Sequence, residues 1–328
     1  MKSPFSEVTQ AFAPERVTQA LACACKLKFA LPGAGRALIS IVIVAALNLP
    51  FAGAARAQVQ RNRRQGAHSK PVAEVFSLAN RNLVEHAITA TCMQRVEDPF
   101  GSLPIDEMQA RPSMPLGHPD AAAGARRAQR LLPEARKLVA TALIQLAHEY
   151  RIHESRRDKL RIQTAIARVQ RVTRVKPDMA ARDNASVFLR DPRTIHFGTI
   201  FLAGLRSDEA MISVLAHELT HIADGQSDTL HLLFREVGRR AAGRTGLRIE
   251  GQRAEELACD MVGAQAVQAF VQNTPSWEPL GRRLARALEH NCVVEDEGDE
   301  EHLSPRNTIR ALFTLDLSFA SQLLSDAP

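Results

Sequence analysis

His217-Glu218-Leu219-Thr220-His221 sets two imidazoles four residues apart with a carboxylate between them. On an α-helix this spacing stacks both rings on one face, one turn apart, so that their Nε2 lone pairs can meet at one ion. Glu218 projects about 100° further round the helix, away from the ion but within reach of a water held there. Such a string arises by accident in roughly a few per cent of chains this rich in His, Glu and Asp. Its surroundings decide what it means.

Working outward, Ser207 offers an N-cap, and Asp208 and Glu209 place negative charge in the first turn, where the helix dipole favours it. Met211, Ile212, Leu215, Leu219 and Ile222 then form a core-facing stripe, so a helix is expected from Asp208 to near Gly225. Upstream, residues 184–189 and 194–201 are β-branched and aromatic and are separated by Arg190-Asp191-Pro192-Arg193, which reads as two strands joined by a turn. Downstream, a helix is expected over 253–272, ended by Asn273-Thr274-Pro275. Residues 72–94 have helical spacing, 97–120 are proline-rich and irregular, and 121–174 read as two or three helices broken near Pro133 and around 153–157. The dense arginines of that stretch are expected on a solvated face. The pattern is α+β and mainly helical, with a small sheet.

A catalytic zinc is held by three protein ligands and keeps a fourth position open. His217 and His221 supply two. Glu256 and Asp260 stack at i,i+4 on the later helix, so Glu256 can bind the ion while Asp260 accepts the N–H of a ligand histidine and fixes its tautomer. Cys259 as a thiolate ligand is the minor alternative. Glu218 is then the general base. For the oxyanion, the only tyrosine, Tyr150, lies in the upstream helical region and reads as structural. His302, His290, Arg306 and Arg310 are the remaining candidates, and His302 is preferred. His148 and His153 mimic the motif, but i,i+5 spacing on a regular helix turns them apart. Lone histidines such as His196 and His231 are more often satisfied polar residues than ligands.

Over residues 184–260 the chain resembles the HtpX and CAAX-prenyl-protease type of zinc metallopeptidase, a gluzincin family. The matching residues are Asn184-Ala185, the segment 195–201, Ser207-Asp208-Glu209, the stretch from Val214 to His221, and Glu256 to Asp260. Cys259 stands where that family usually has alanine. His302-Leu303-Ser304-Pro305 with Arg306 or Arg310 is out of register with the family's His-Pro and following arginine. The resemblance implies a zincin-like domain holding one Zn2+ per chain. It implies an edge strand, residues 195–201, along which a peptide lies. It also implies hydrolysis of peptide bonds in exported, unfolded or misassembled polypeptides. The competing class is a catalytically inactive metalloprotease-like chaperone or scaffold of the cell envelope, against which the intact Glu218 speaks.

The 328 residues, 45% hydrophobic and 24% charged, suffice for a substantial core. The net charge of +6 suggests nucleic acid, but residues 1–57 hold six basic and two acidic residues, leaving 36 basic and 34 acidic beyond them. A nucleic-acid partner is therefore not expected. That leader reads as a signal peptide: Lys26, Lys28 and Arg36, an apolar run over 37–49, and Ala55-Arg56-Ala57 before Gln58. This run of thirteen residues falls short of the roughly 20 a span needs, so cleavage is favoured over a membrane anchor. The expected organisation is leader 1–57, then tail, helix and linker 58–120, then a peptidase domain 121–328. The location would be periplasmic or secreted, with peripheral membrane or envelope-protein association open. Cys92, Cys259 and Cys292 remain after the leader. A Cys92–Cys292 bridge and three packed thiols are equally compatible with the sequence. The acidic run 295–301 reads as a solvated loop.

Overall fold

The computed structural model describes residues 77–93, 100–103, 113–188, 190–224, 230–292, 298 and 302–325, with the side chains of 230–233 left out. The leader, the tail, Gly225, the side chain of His231 and all of the acidic run except Gly298 lie outside the described residues. Everything described belongs to one compact unit, His68–Pro328.

The elements in chain order are α1 (Leu78–Met93), α2 (Pro119–Glu149), α3 (Arg156–Gln170), β1 (Arg174–Asp178), β2 (Ala185–Val187), β3 (Thr194–Gly198), α4 (Thr199–Gly204), α5 (Asp208–Asp224), α6 (Leu230–Thr245), α7 (Gly251–Asn273), α8 (Leu280–Leu288), a 3-10 turn (Glu289–Asn291), α9 (Pro305–Leu315) and α10 (Leu317–Leu324). The fold is α+β and mainly helical, with a three-stranded sheet.

Helix α5 is the centre of the unit. Met211, Ile212, Leu215, Ala216, Leu219 and Ala223 are fully buried, and so is Ala210 on the opposite face. A helix that is apolar nearly all round must be covered on every side. Here α2, α3, α7 and α8 surround it, and β2 lies along one flank. Its start is as the sequence indicates: Ser207 Oγ accepts from the Ala210 amide at 3.0 Å. Its end is closed by Arg168 of α3, which donates to the carbonyls of Ala223 at 3.4 Å and Asp224 at 3.0 Å. Arg127 and Arg130 of α2 pair with Asp208 at 3.3 and 2.8 Å. Arg136 donates to the carbonyls of Gln170 and Val172. Several arginines expected on a solvated face therefore brace helix ends instead, because a guanidinium can satisfy carbonyls that the last turn leaves without donors.

Three expectations are corrected. Helix α2 runs unbroken through Pro133. The hydrogen bond that proline removes is offset by burial of Leu131, Leu132, Ala135 and Leu138 on either side. Arg174, expected as the end of a helix, instead opens β1, which pairs in parallel with β3. The strand expected over 194–201 stops at Gly198, and β3 lies in the middle of the sheet, order β1-β3-β2, with all five residues buried. A Cβ at Gly198 would collide with the Arg182 carbonyl, which accepts from the amides of Ile200 and Phe201 at 3.1 Å each. That close approach turns the chain into α4. The edge strand beside α5 is β2, antiparallel to β3 with Ser186 opposite His196.

Helix α1 packs on α9 and α10, and the disulfide Cys92–Cys292 ties its end to the residue that follows the 3-10 turn. Cys259 is free and buried.

Candidate metal centre

Helices α5 and α7 pack closely enough that a Cβ on Gly263 would lie 3.1 Å from the Ser213 carbonyl. This brings the Glu256 side of α7 against the histidine face of α5. His217 Nε2 and His221 Nε2 lie 3.1 Å apart. Glu256 Oε2 is 3.1 Å from the first and 3.3 Å from the second. Four ligands at about 2.0–2.1 Å from a tetrahedral ion are separated from each other by roughly 3.3 Å, so these three atoms have the spacing of three tetrahedral corners. Glu256 Oε2 is buried and accepts no well-directed hydrogen bond. A carboxylate oxygen is rarely left so without a cation to meet it.

The remaining ring nitrogens are held from behind. His217 Nδ1 is 2.8 Å from Asp260 Oδ1, which fixes its donor side and leaves Nε2 as the lone-pair end. His221 Nδ1 faces Cys259 Sγ at 3.6 Å and Glu255 Oε1 at 3.9 Å. Glu255 is paired in turn with Arg235 at 3.1 Å. His217, His221 and Cys259 each offer a ligand atom within 4.8 Å of the others, and this group could hold a metal ion. The thiol, however, stands on the Nδ1 side of His221, across the ring from the point where the two Nε2 atoms and Glu256 converge.

The electrostatics follow from burial and close pairing. Burial opposes charge on His217, but Asp260 and Glu256 outweigh it and carry its pKa well above the usual imidazole range. Burial likewise opposes charge on His221, where Cys259, Glu255 and Glu256 prevail. Glu256 would be raised by burial, yet the two imidazoles hold it well below the usual carboxylate range. Burial pushes the Cys259 thiol up to about 11, which keeps it protonated near neutral pH. Glu218 is buried and raised, chiefly by desolvation, with His217 and His221 opposing.

His217 and Glu256 open onto a cavity of about 300 Å³. Glu218, Asp260, His302 and His290 line it, together with Asp183 and Asn184 just before β2 and the apolar Leu257, Leu288 and Leu312. His302 is half exposed, and its Nε2 is 3.8 Å from Glu256 Oε2. Of the other oxyanion candidates, His290 lines the same cavity, whereas the two arginines lie elsewhere. Arg310 binds Glu85 of α1 at 2.8 Å, and Arg306 adds to the positive charge around that carboxylate. Tyr150 is buried against Arg244, with its hydroxyl pushed up to about 12 by burial.

Among the decoys, the rings of His148 and His153 approach to 3.9 Å, closer than i,i+5 spacing on a regular helix allows. Helix α2 ends at Glu149 and Arg151 takes a positive φ of 54°, which folds His153 back. No third ligand joins them among the described residues. His196 is buried on β3, 3.8 Å from Asp178 and edge-on to Phe188.

Sequence reasoning missed Glu255 as a partner of His221. The signal was present, since Glu255 precedes Glu256, but neighbouring residues on a helix point about 100° apart and only the position of α6 shows which way Glu255 faces. No protein-family model, no curated protein and no solved structure matches the chain.

Proposed function

We propose that the protein is a zinc-dependent endopeptidase of zincin-like build. The single observation that carries this is the convergence of His217 Nε2, His221 Nε2 and the otherwise unbonded Glu256 Oε2 at tetrahedral-edge spacing, with Glu218 beside them in a cavity. His217, His221 and Glu256 would hold the ion, and Asp260 orients His217. Zinc bound there supplies Lewis acidity, which polarises a carbonyl and acidifies water.

The chain's own residues do the rest. Glu218, ionised and partly desolvated, takes a proton from the attacking water as its oxygen bonds to the peptide carbon, then delivers that proton to the amine as the C–N bond breaks. His302 donates to the carbonyl oxygen as negative charge gathers on it. Strand β2 is the free edge next to α5, with Asn184 at the cavity, so an extended polypeptide pairs there by main-chain hydrogen bonds. The resemblance to the HtpX and CAAX-prenyl-protease type supports the same reading. It makes unfolded or misassembled exported polypeptides the substrates. The Cys92–Cys292 bridge fits an oxidising compartment such as the periplasm. No helix among the described residues is long and apolar enough to cross a membrane.

Hydrolysis of an unfolded, casein-type substrate by the zinc-loaded protein tests the reading. Glu218→Gln, which keeps shape and removes the base, should lower the rate by about 10²–10⁴-fold with zinc retained. Equal rates in both proteins would assign the cleavage to a contaminant or to another base.

A further inference from the structure

His290 is a half-buried histidine that neither the ligand set nor the acid–base pair uses. It sits in the 3-10 turn between α8 and Cys292, lines the cavity, and lies edge-on to Phe201 with ring centroids 6.5 Å apart. Its Nδ1 is sealed from solvent and has no hydrogen-bond partner. An N–H stranded at such a place costs more than a bare lone pair, so the ring's proton belongs on Nε2. Burial, with His217 nearby, lowers its pKa to about 4, so the ring is neutral near pH 7. A neutral donor of this kind, among Phe201, Leu288 and Leu312, is built for an uncharged acceptor. A carboxylate would be disfavoured there even with zinc bound, because the four carboxylates Asp183, Glu218, Glu256 and Asp260 that line the same cavity outnumber the two positive charges of the ion.

We infer that His290 is a substrate-contacting residue whose Nε2–H donates to an amide carbonyl of a polypeptide bound in the cavity. This rests on the endopeptidase reading above and extends it: the ligand is an internal, uncharged stretch of chain, not a free C-terminus. The role differs from that of His302. His302 is half exposed and faces the converging ligand atoms, whereas His290 holds the chain from the cavity wall and acts on binding.

The zinc-loaded protein carrying Glu218→Gln binds without cleaving and allows a direct readout. The probe is a fluorescent peptide of uncharged residues, blocked at both ends, with binding measured by anisotropy. Adding His290→Phe, which keeps the ring's bulk and removes the donor, should weaken binding by about tenfold, the factor one neutral hydrogen bond is worth. His290→Gln, which restores a neutral donor, should recover binding to within about threefold. In the active protein His290→Phe should raise KM by a similar factor and change kcat little, with zinc content and Tm near wild type. Unchanged binding in His290→Phe overturns the inference, as does a loss that His290→Gln fails to recover. Tighter binding of the same peptide with a free C-terminus overturns the choice of ligand. If the protein with His290 intact binds no peptide, the endopeptidase reading fails, and that result is distinct from a His290 effect of zero.

Discussion

Glu256 and Cys259 both lie on α7, yet they address opposite nitrogens of His221, and the proposed ligand set rests on this difference. A zinc ion at the Nε2 side takes Glu256, while one at the Nδ1 side would need the thiol deprotonated against a pKa of about 11. Glu256→Ala should therefore lose tight zinc, whereas Cys259→Ala should keep it stoichiometric, as metal analysis after dialysis would show. Zinc retained by Glu256→Ala would reverse the assignment. Asp260→Asn leaves a ligand histidine without its orienting acceptor and should weaken zinc by about 10–100-fold in a competition titration with a chelator. Behind His221, burial and the adjoining Glu255 push the pKa of Asp224 far up. A carboxyl raised in the folded state contributes stability that is complete below its unfolded pKa and declines as pH rises towards the folded one. Asp224→Asn, which donates to Glu255 without ionising, should thus raise Tm more at pH 8 than at pH 5. A larger gain at pH 5 would contradict the sign.

The elements show where local sequence suffices and where it fails. Helix α5 was legible because its N-cap, acidic first turn and apolar stripe agree with one another. Glu256 and Asp260 were legible because i,i+4 spacing fixes their common face. Strand β3 was misjudged because Thr199-Ile200-Phe201 has strand-like side chains, while its backbone obeys the Arg182 carbonyl from a distant loop. Pro133 misled for the same kind of reason: burial of the flanking leucines outweighs a lost hydrogen bond, and only packing shows which residues are buried. The arginines of α2 and α3 looked like solvent-facing charge. Arg127 and Arg130 pair with the Asp208 carboxylate and Arg136 and Arg168 with carbonyl groups of other elements, invisible to a reading of helical faces.

The disulfide operates at the next level up, since it closes a loop with a sequence separation of 200 and holds the turn that carries His290. In the chain-entropy view such a link stabilises by up to about 5 kcal/mol. Cys92→Ser with Cys292→Ser should lower Tm by several degrees and weaken peptide binding while zinc remains bound, as differential scanning calorimetry and anisotropy would show. Loss of zinc on removing the bridge would mean that α1 supports the metal ligands themselves.

For the molecule as a whole, a buried helix supplies the histidines, a second helix the carboxylates, and an edge strand and a disulfide-held turn frame the cavity between them. The class α+β followed from sequence pattern. The reach of Glu256 to both imidazoles could be seen only once α5 and α7 were packed, because it depends on how closely two helices approach. The expected signal peptide is likewise a whole-molecule question: if it is cleaved, N-terminal sequencing of exported protein should begin at Gln58. Retention of the leader on the exported chain would favour the anchored form. The central claim is the metal centre, and zinc K-edge X-ray absorption on the purified mature protein tests it most directly. The account predicts about one zinc per chain with a first shell of nitrogen and oxygen only, at about 2.0–2.1 Å. A sulfur scatterer at about 2.3 Å, or a protein that takes up no zinc, would contradict it.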